Sequence, residues 1–137
     1  MWTDLKFGVV IFYKSFPYLD GGKSDKLLVV LGVRSDCALM ALTTSTPPKP
    51  LINPGCSAKR SLFMAQKHSR DCFDMDTFIL LHRLGEILPE HVANADWKLN
   101  ARIVGVLSPH TAGAIKNCAA QTADISPFRK ALLGLGA

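Results

Sequence analysis

The stretch "KLLVVLGVRSDCALMAL", residues 26–42, contains two apolar runs joined by a short polar turn. The first run, 26–33, predicts a β-strand, and the second, 37–42, predicts a strand that returns antiparallel to it. Neither run alternates with polar residues, so both faces of these strands must be covered by other parts of the protein. This pattern indicates a compact curled sheet or a small barrel.

The rest of the N-terminal half extends the same sheet. The run "KFGVVIFYK", 6–14, predicts the first strand, and the Pro- and Gly-containing stretch 15–25 predicts a long hairpin loop between it and the strand at 26–33. After a Pro-rich loop over 46–61, further strands are predicted at 61–66, 76–88 and 101–107.

Helix signals are concentrated in the C-terminal half. Pro89 can occupy the first position of a short helical turn, and Ser108 followed by Pro109 predicts the start of a helix over 109–121. A last short helix is predicted after Ser126, again with a Ser-Pro start. We therefore expect a mostly β protein with C-terminal helices, of the α+β class, in one domain over 1–137.

Composition narrows the cellular context. The apolar runs are too short to cross a bilayer and the N-terminus has no signal-peptide core, so we expect a cytoplasmic protein with no membrane partner. The four cysteines are separated by 19, 16 and 46 positions. This spacing fits neither a zinc ribbon nor a CxxC redox pair, and four reduced, mostly buried thiols are expected.

Two groups of polar residues can be interpreted either as part of a binding site or as ordinary structural residues. Thr43, Thr44 and Ser45 follow an apolar strand, where hydroxyls either satisfy the backbone of a turn or donate hydrogen bonds to an anionic ligand. The segment 49–70 contains no acidic residue. It is either a solvated basic loop or a surface for a polyanion such as nucleic acid. Its basic residues are Lys49, Lys59, Arg60, Lys67, His68 and Arg70.

Four pieces of the sequence, in this order, resemble the MazF/PemK (Kid-type) toxins of bacterial toxin–antitoxin systems. They are the first hairpin with "FPYLDGGKSDK" and "LLVVLG", the strand end "MALTTS", the segment "DMDTFILLHRLGEI", and "GVLSPHTAGAIKNCAA". The resemblance implies a small SH3-like barrel that usually forms a homodimer. It also implies a metal-independent endoribonuclease that cleaves single-stranded RNA without a cofactor and is inhibited by binding of a cognate antitoxin.

The resemblance also suggests catalytic residues. Asp76 matches the family's catalytic Asp and is the first candidate for the general base, with Asp74 as the alternative. Lys26-Leu27 stands where many members have Arg-Pro, so Lys26 is the candidate phosphate-stabilising cation, although it lacks the bidentate fork of arginine. Some members carry an Arg where this sequence has Asp74, so the family's general acid is missing or relocated here. The candidates for relocation are His82 and Arg83 on the same predicted strand, or His68 and Arg70 in the basic segment.

Substrate contacts are expected from the end of the third strand and from basic loops. The candidates are Thr43, Thr44, Lys23, Lys59, Arg60, His68 and Arg70. The four histidines show no paired metal-ligand spacing, and no metal site is expected. Two alternatives remain open: a non-catalytic binding module of the same fold that engages a protein or nucleic acid, and a gyrase-directed toxin of the CcdB type.

Overall fold

The computed structural model describes residues 2–17, 23–67, 73–122 and 126–133. The strands are β1 Val9–Pro17, β2 Lys23–Val33, β3 Ala38–Thr44, β4 Gly55–Ser57, β5 Leu62–Ala65, β6 Thr77–Ile87 and β7 Ala101–Val106. The helices are α1 Pro89–Val92, α2 Ala95–Asn100, α3 Pro109–Gln121 and α4 Pro127–Leu132, with 3-10 helices at Trp2–Asp4 and Ala58–Arg60.

All the described strand pairs are antiparallel, and they form one sheet in the order β4-β5-β6-β3-β2-β1-β7. The predicted class, mostly β with helices and of the α+β type, is therefore confirmed. None of the described helices combines the length and the apolar character needed to cross a membrane.

The continuous apolar runs of the central strands serve two cores, one on each face of the sheet. Val29 and Leu31 of β2 belong to one buried cluster, whereas Leu28 and Val30 belong to the other. Successive side chains of a strand point to opposite faces, so a strand between two cores needs apolar residues at every position. The prediction that both faces are covered is confirmed.

Each face has its own helical cover. Ile115 and Ala119 of α3 pack into the cluster that contains Val29, and we call this side the α3 face. Val92 of α1 and Trp97 of α2 pack into the opposite cluster. Burying such side chains on both sides of one sheet is the main source of stability for this architecture.

The helix starts follow the predicted Ser-Pro signals. The Ser108 hydroxyl accepts a hydrogen bond from the backbone N–H of Thr111, and Pro109 occupies the first turn of α3. Ser126 accepts in the same way from the N–H of Arg129 at the start of α4. These caps satisfy N–H groups that have no partner inside the helix.

Helix α4 lies close against β2. A Cβ atom on Gly32 would stand 2.0 Å from the carbonyl oxygen of Leu132, so this close approach of two backbones requires glycine. Arg129 of α4 also donates to both carboxylate oxygens of Glu86 in β6, at 3.0 and 3.2 Å. Leu132 and Leu133 pack into the cluster that contains Val29, so the end of the described chain lies on the α3 face.

The predicted hairpin loop over 15–25 is wrong at both ends, because β1 continues to Pro17 and β2 begins at Lys23. The β1–β2 register shifts between Tyr13 and Phe16, and Ser15 adopts a φ of 55°. The Asp25 carboxylate accepts a hydrogen bond from the Ser15 N–H at 2.9 Å. This bond satisfies the backbone N–H at the irregular position, and the β1–β2 pairing resumes at Phe16.

The predicted loop over 46–61 and the predicted reduced thiols also need correction. Residues Gly55–Ser57 form β4, which pairs with β5. Cys56 of β4 forms a disulfide with Cys118 of α3, across 62 positions of sequence. Cys37 is free and buried, and Cys72 lies outside the described residues. The pairing was missed because cysteine spacing carries no information about which strand lies beside which helix.

Candidate functional site

A cavity of about 490 Å³ opens on the α3 face of the sheet, and we call it the charged cavity. Five neighbouring strands contribute to it: β7, β1, β2, β3 and β6. Its floor includes Phe12, Leu27 and Thr43, which are two positions from the core residues Val10, Val29 and Ala41 and so share their face. The described residues that line it are Phe12, Asp25, Lys26, Leu27, Thr43, Thr44, Ser45, Asp74, Met75, Thr77, Arg102 and Val104.

Four charged side chains line this cavity: Asp25, Lys26, Asp74 and Arg102. Lys26 is half-buried and the other three are exposed. The Arg102 guanidinium carbon lies 5.1 Å from the centre of the Phe12 ring, a distance at which the cation is attracted to the ring face. This contact holds a positive charge above the apolar floor, where it is available to an anionic ligand.

The hydroxyls that close β3 have different roles. Thr43 is 3% exposed and donates a hydrogen bond to the Leu27 carbonyl at 2.8 Å, so its hydroxyl serves the sheet. Thr44 is half-buried and accepts from the Thr46 N–H at 3.1 Å, which leaves its own proton available to a ligand. The structural interpretation therefore holds for Thr43, and contact of Thr44 with a ligand stays a prediction.

The two candidates for the general base, Asp74 and Asp76, differ in their position relative to the charged cavity. Asp74 lines the charged cavity. Asp76 is exposed and accepts a hydrogen bond from the Lys67 N–H at 2.8 Å, and it is not part of the lining. Its neighbours Met75 and Thr77 do line the cavity, and the Thr77 hydroxyl donates to the Met75 carbonyl at 2.9 Å. Asp76 thus helps to fix the turn that carries Asp74.

The remaining predicted residues lie elsewhere. His82 and Arg83 are exposed on β6, where the β3–β6 register shifts, and they do not line the charged cavity. Lys59 and Arg60 belong to a 3-10 helix, and Arg60 donates to the carbonyl of Pro50. The side chain of Lys23, and His68 and Arg70 entirely, lie outside the described residues.

Arg102 was missed by sequence reasoning. It pairs with Phe12 in the β1–β7 register, which places it beside a strand that is 90 positions earlier in the chain. Its local signal is the alternation of "ARIVGV", in which Arg102, Val104 and Val106 are the exposed positions. That alternation reveals an open face on β7 but not the strand that it borders.

A second cavity, of about 320 Å³, lies on the opposite face and is mostly aromatic and aliphatic. Tyr13 and Trp97 meet there edge to face, with ring centres 5.7 Å apart. Burial raises the pKa of Tyr13, and the Asp96 carboxylate raises it further. The indole N–H of Trp97 is buried without a hydrogen-bond partner among the described residues.

Among the described residues, no three His, Cys, Asp or Glu side chains converge as they would around a metal ion. No protein-family model matches the sequence of this chain, and no curated protein sequence is significantly similar to it.

Proposed function

We propose that this protein is a metal-independent endoribonuclease that cleaves single-stranded RNA. The observation that carries the proposal is the convergence of Lys26, Asp74 and Arg102 on the charged cavity. Cleavage by the 2′-hydroxyl of RNA needs a base, a proton donor and positive charge near the phosphate, and these side chains can supply all three. We also propose that the sheet is the small SH3-like barrel of the MazF/PemK/CcdB type.

In this proposal the Asp74 carboxylate takes the proton of the 2′-hydroxyl as its oxygen attacks the adjacent phosphorus. Lys26 donates a proton to the departing 5′-oxygen, and Arg102 neutralises charge on the phosphate. The products are a 2′,3′-cyclic phosphate and a 5′-hydroxyl. The RNA must be single-stranded, because the attacking oxygen has to swing into line with the leaving oxygen.

The roles differ from those expected from the resemblance. Asp76 becomes a positioning residue, because its hydrogen bond to the Lys67 N–H anchors the turn that presents Asp74. The role of general acid moves from His82 and Arg83 to Lys26, because Lys26 lines the charged cavity and the other two residues do not. Thr44 and the Phe12–Arg102 pair are the proposed contacts for the RNA backbone and for a stacked base.

The test compares purified variants on a long single-stranded RNA in excess EDTA. Asp74→Asn should lower the cleavage rate about 10²- to 10⁴-fold, as expected for loss of a general base. Glu90→Gln, which removes an exposed carboxylate of α1, should cut like the parent. Asp76→Asn should lower the rate less than Asp74→Asn does.

Two results would count against these assignments. If Asp74→Asn cut as fast as the parent, Asp74 would have no role as base. If instead Asp76→Asn lost as much activity and kept the parent's melting temperature, Asp76 itself would be the base.

A non-catalytic binding module is the second candidate, and the charge of the cavity favours it. Asp25 and Asp74 balance Lys26 and Arg102 among the described lining residues, which weakens the attraction for phosphate. A leucine also follows Lys26, where the resembling family has Arg-Pro. Saturable binding of RNA or protein by a parent that leaves RNA intact in EDTA would support this candidate over the enzyme.

We further propose that this protein is the toxin of a type II toxin–antitoxin system and that it acts in the cytoplasm. Its partners would be a cognate antitoxin and a second copy of itself. A cognate antitoxin would lay an acidic segment over Lys26 and Arg102, so an acidic antitoxin peptide and RNA should compete for binding. A homodimer would use β7, which ends the described strand order and exposes Val104 by 39% and Val106 by 59%. A parent that is monomeric by light scattering at micromolar concentration would contradict the dimer.

A further inference from the structure

A cavity of about 630 Å³ lies between α3 and the β4–β5 end of the sheet, and we call it the disulfide cavity. Both Cys56 and Cys118 are among its lining residues, so the disulfide borders an open space that is large enough for a small molecule. The charged cavity includes neither cysteine. The disulfide cavity is therefore a separate feature of the molecule.

The two cysteine residues of the disulfide differ in exposure. Cys56 is exposed on β4, a strand of three residues that pairs only with β5 in the described sheet. Cys118 is 1% exposed and lies in α3 within the core of the α3 face. A thiolate attacks the sulfur that it can reach, so exchange would begin at Cys56 and release Cys118.

The structure also accommodates the released sulfur. The carbonyl oxygen of Leu62 lies 3.6 Å from the sulfur of Cys118. Once Cys118 is a thiol, its S–H can donate a weak hydrogen bond to that oxygen without any movement of α3. The surrounding cluster is apolar, and a neutral thiol is the form that such a cluster favours.

The polar side chains of the cavity indicate the kind of thiol that fits. Gln66, Thr111, Asn117 and Gln121 line it, and all are uncharged hydrogen-bonding groups. His110 also lines it, and the described lining residues include no Asp, Glu, Lys or Arg. Amide and hydroxyl side chains pair well with the amide groups of a peptide backbone. A small thiol that carries amide groups therefore matches the lining better than a bare alkyl thiol does.

We propose that the disulfide cavity is a thiol–disulfide exchange site at which a low-molecular-weight peptide thiol modifies Cys56. In the first step the incoming sulfur bonds to Cys56, the Cys56–Cys118 bond breaks, and the proton of the incoming thiol passes to Cys118. A second thiol then displaces the first as its symmetric disulfide and leaves Cys56 reduced. The exchange removes the covalent link between β4 and α3, and it does not depend on ribonuclease activity.

The experiment uses the full chain with Cys72→Ser, which removes the cysteine outside the described residues. Cys37 serves as an internal control, because it is buried and free, and burial raises the pKa of its thiol. The oxidised protein is mixed with reduced glutathione, quenched with acid, and mapped by mass spectrometry of its peptides. We expect the glutathione adduct on Cys56, a free thiol on Cys118 and no adduct on Cys37.

Site recognition is tested by comparing reduced glutathione with 2-mercaptoethanol, which carries no amide. Gln121→Ala, a change at an exposed position, should slow the reaction with glutathione about fivefold, as expected for the loss of one hydrogen bond, and leave the reaction with 2-mercaptoethanol unchanged. Asn117→Ala provides a second variant with the same expectation.

Three results would overturn the proposal. One is an oxidised protein without a Cys56–Cys118 bond. Another is a disulfide that resists glutathione in the folded protein and reacts only in urea, as a purely structural bridge would. The third is that Gln121→Ala and Asn117→Ala slow the reactions with glutathione and with 2-mercaptoethanol by the same factor. That result would mean that the amides of the incoming thiol are not recognised.

Discussion

The charged cavity and the disulfide cavity are built on the same sheet, but different elements supply their polar side chains. In the charged cavity, Lys26, Thr44 and Arg102 all come from neighbouring strands. In the disulfide cavity, Asn117 and Gln121 come from α3, which packs across the end of the sheet. Among the described lining residues, the charged cavity has charges of both signs, whereas the disulfide cavity has amide and hydroxyl side chains, His110 and a disulfide.

This difference has a physical origin. A strand position determines which face of the sheet its side chain occupies, so strand register alone brings residues such as Phe12 and Arg102 together. The disulfide cavity instead requires α3 to dock against β4, and the Cys56–Cys118 bond holds that contact. We therefore expect substitutions in the charged cavity to change activity, and substitutions at the disulfide to change stability.

The largest expected effect is on catalysis. Lys26→Gln removes the cation proposed to donate a proton in the charged cavity, and we expect the RNA cleavage rate to fall about 10²- to 10³-fold with little change in melting temperature. Lys98→Gln, at an exposed position of α2, is the matched control and should keep the parent's rate. Equal cleavage rates for the parent and Lys26→Gln would mean that Lys26 is not the proton donor. The expected difference in function between the two cavities would then not hold for this residue.

The next effect concerns the disulfide cavity. Under oxidising conditions Cys56→Ser should lower the free energy of unfolding by about 4 kcal/mol, since a disulfide that spans 62 positions restricts the unfolded chain by roughly that amount. Urea denaturation with and without dithiothreitol measures it. The parent should lose a similar amount when reduced, whereas Cys56→Ser should not respond to the reductant.

RNA cleavage by Cys56→Ser, assayed below its unfolding transition, is the corresponding control. It should match the parent, because neither cysteine of the disulfide lines the charged cavity. Loss of cleavage in a folded Cys56→Ser protein would show that the two cavities are coupled.

The smallest effect separates two neighbours within the charged cavity. Thr43→Val should lower the free energy of unfolding by about 1 kcal/mol, because the Leu27 carbonyl loses its buried hydrogen-bond donor. Thr44→Val should instead weaken RNA binding a few-fold and affect stability less, since only a turn N–H depends on its oxygen. Thermal unfolding and RNA titration of both variants would measure these effects, and the reverse pattern would contradict the assignment.

Much of the fold could be predicted from local sequence. The apolar runs of β2 and β3 indicated a sheet buried on both faces, and Ser108-Pro109 marked the start of α3 correctly. The extension of β1 to Pro17 was missed, because it depends on a hydrogen bond between Asp25 and the Ser15 N–H across the hairpin. Such a bond leaves no pattern in either strand taken alone.

The candidate site was predicted only in part. Lys26, Thr43 and Thr44 line the charged cavity with Asp74, whereas Asp76, His82 and Arg83 do not line it. Two aspartates that are two residues apart have the same local signal, so the sequence could not tell which of them faces the cavity. The hydrogen bond from the Lys67 N–H to Asp76 distinguishes them.

The sequence by itself determined the strand character of the apolar runs and where α3 and α4 begin, because those signals act between residues that are one to four positions apart. Only the tertiary structure decided that Arg102 lies beside Phe12 and that Cys56 lies beside Cys118. Both contacts depend on the order of strands in the sheet and on the docking of α3. That arrangement follows from burying two apolar cores at once, which involves the whole chain and is not encoded in any short segment of it.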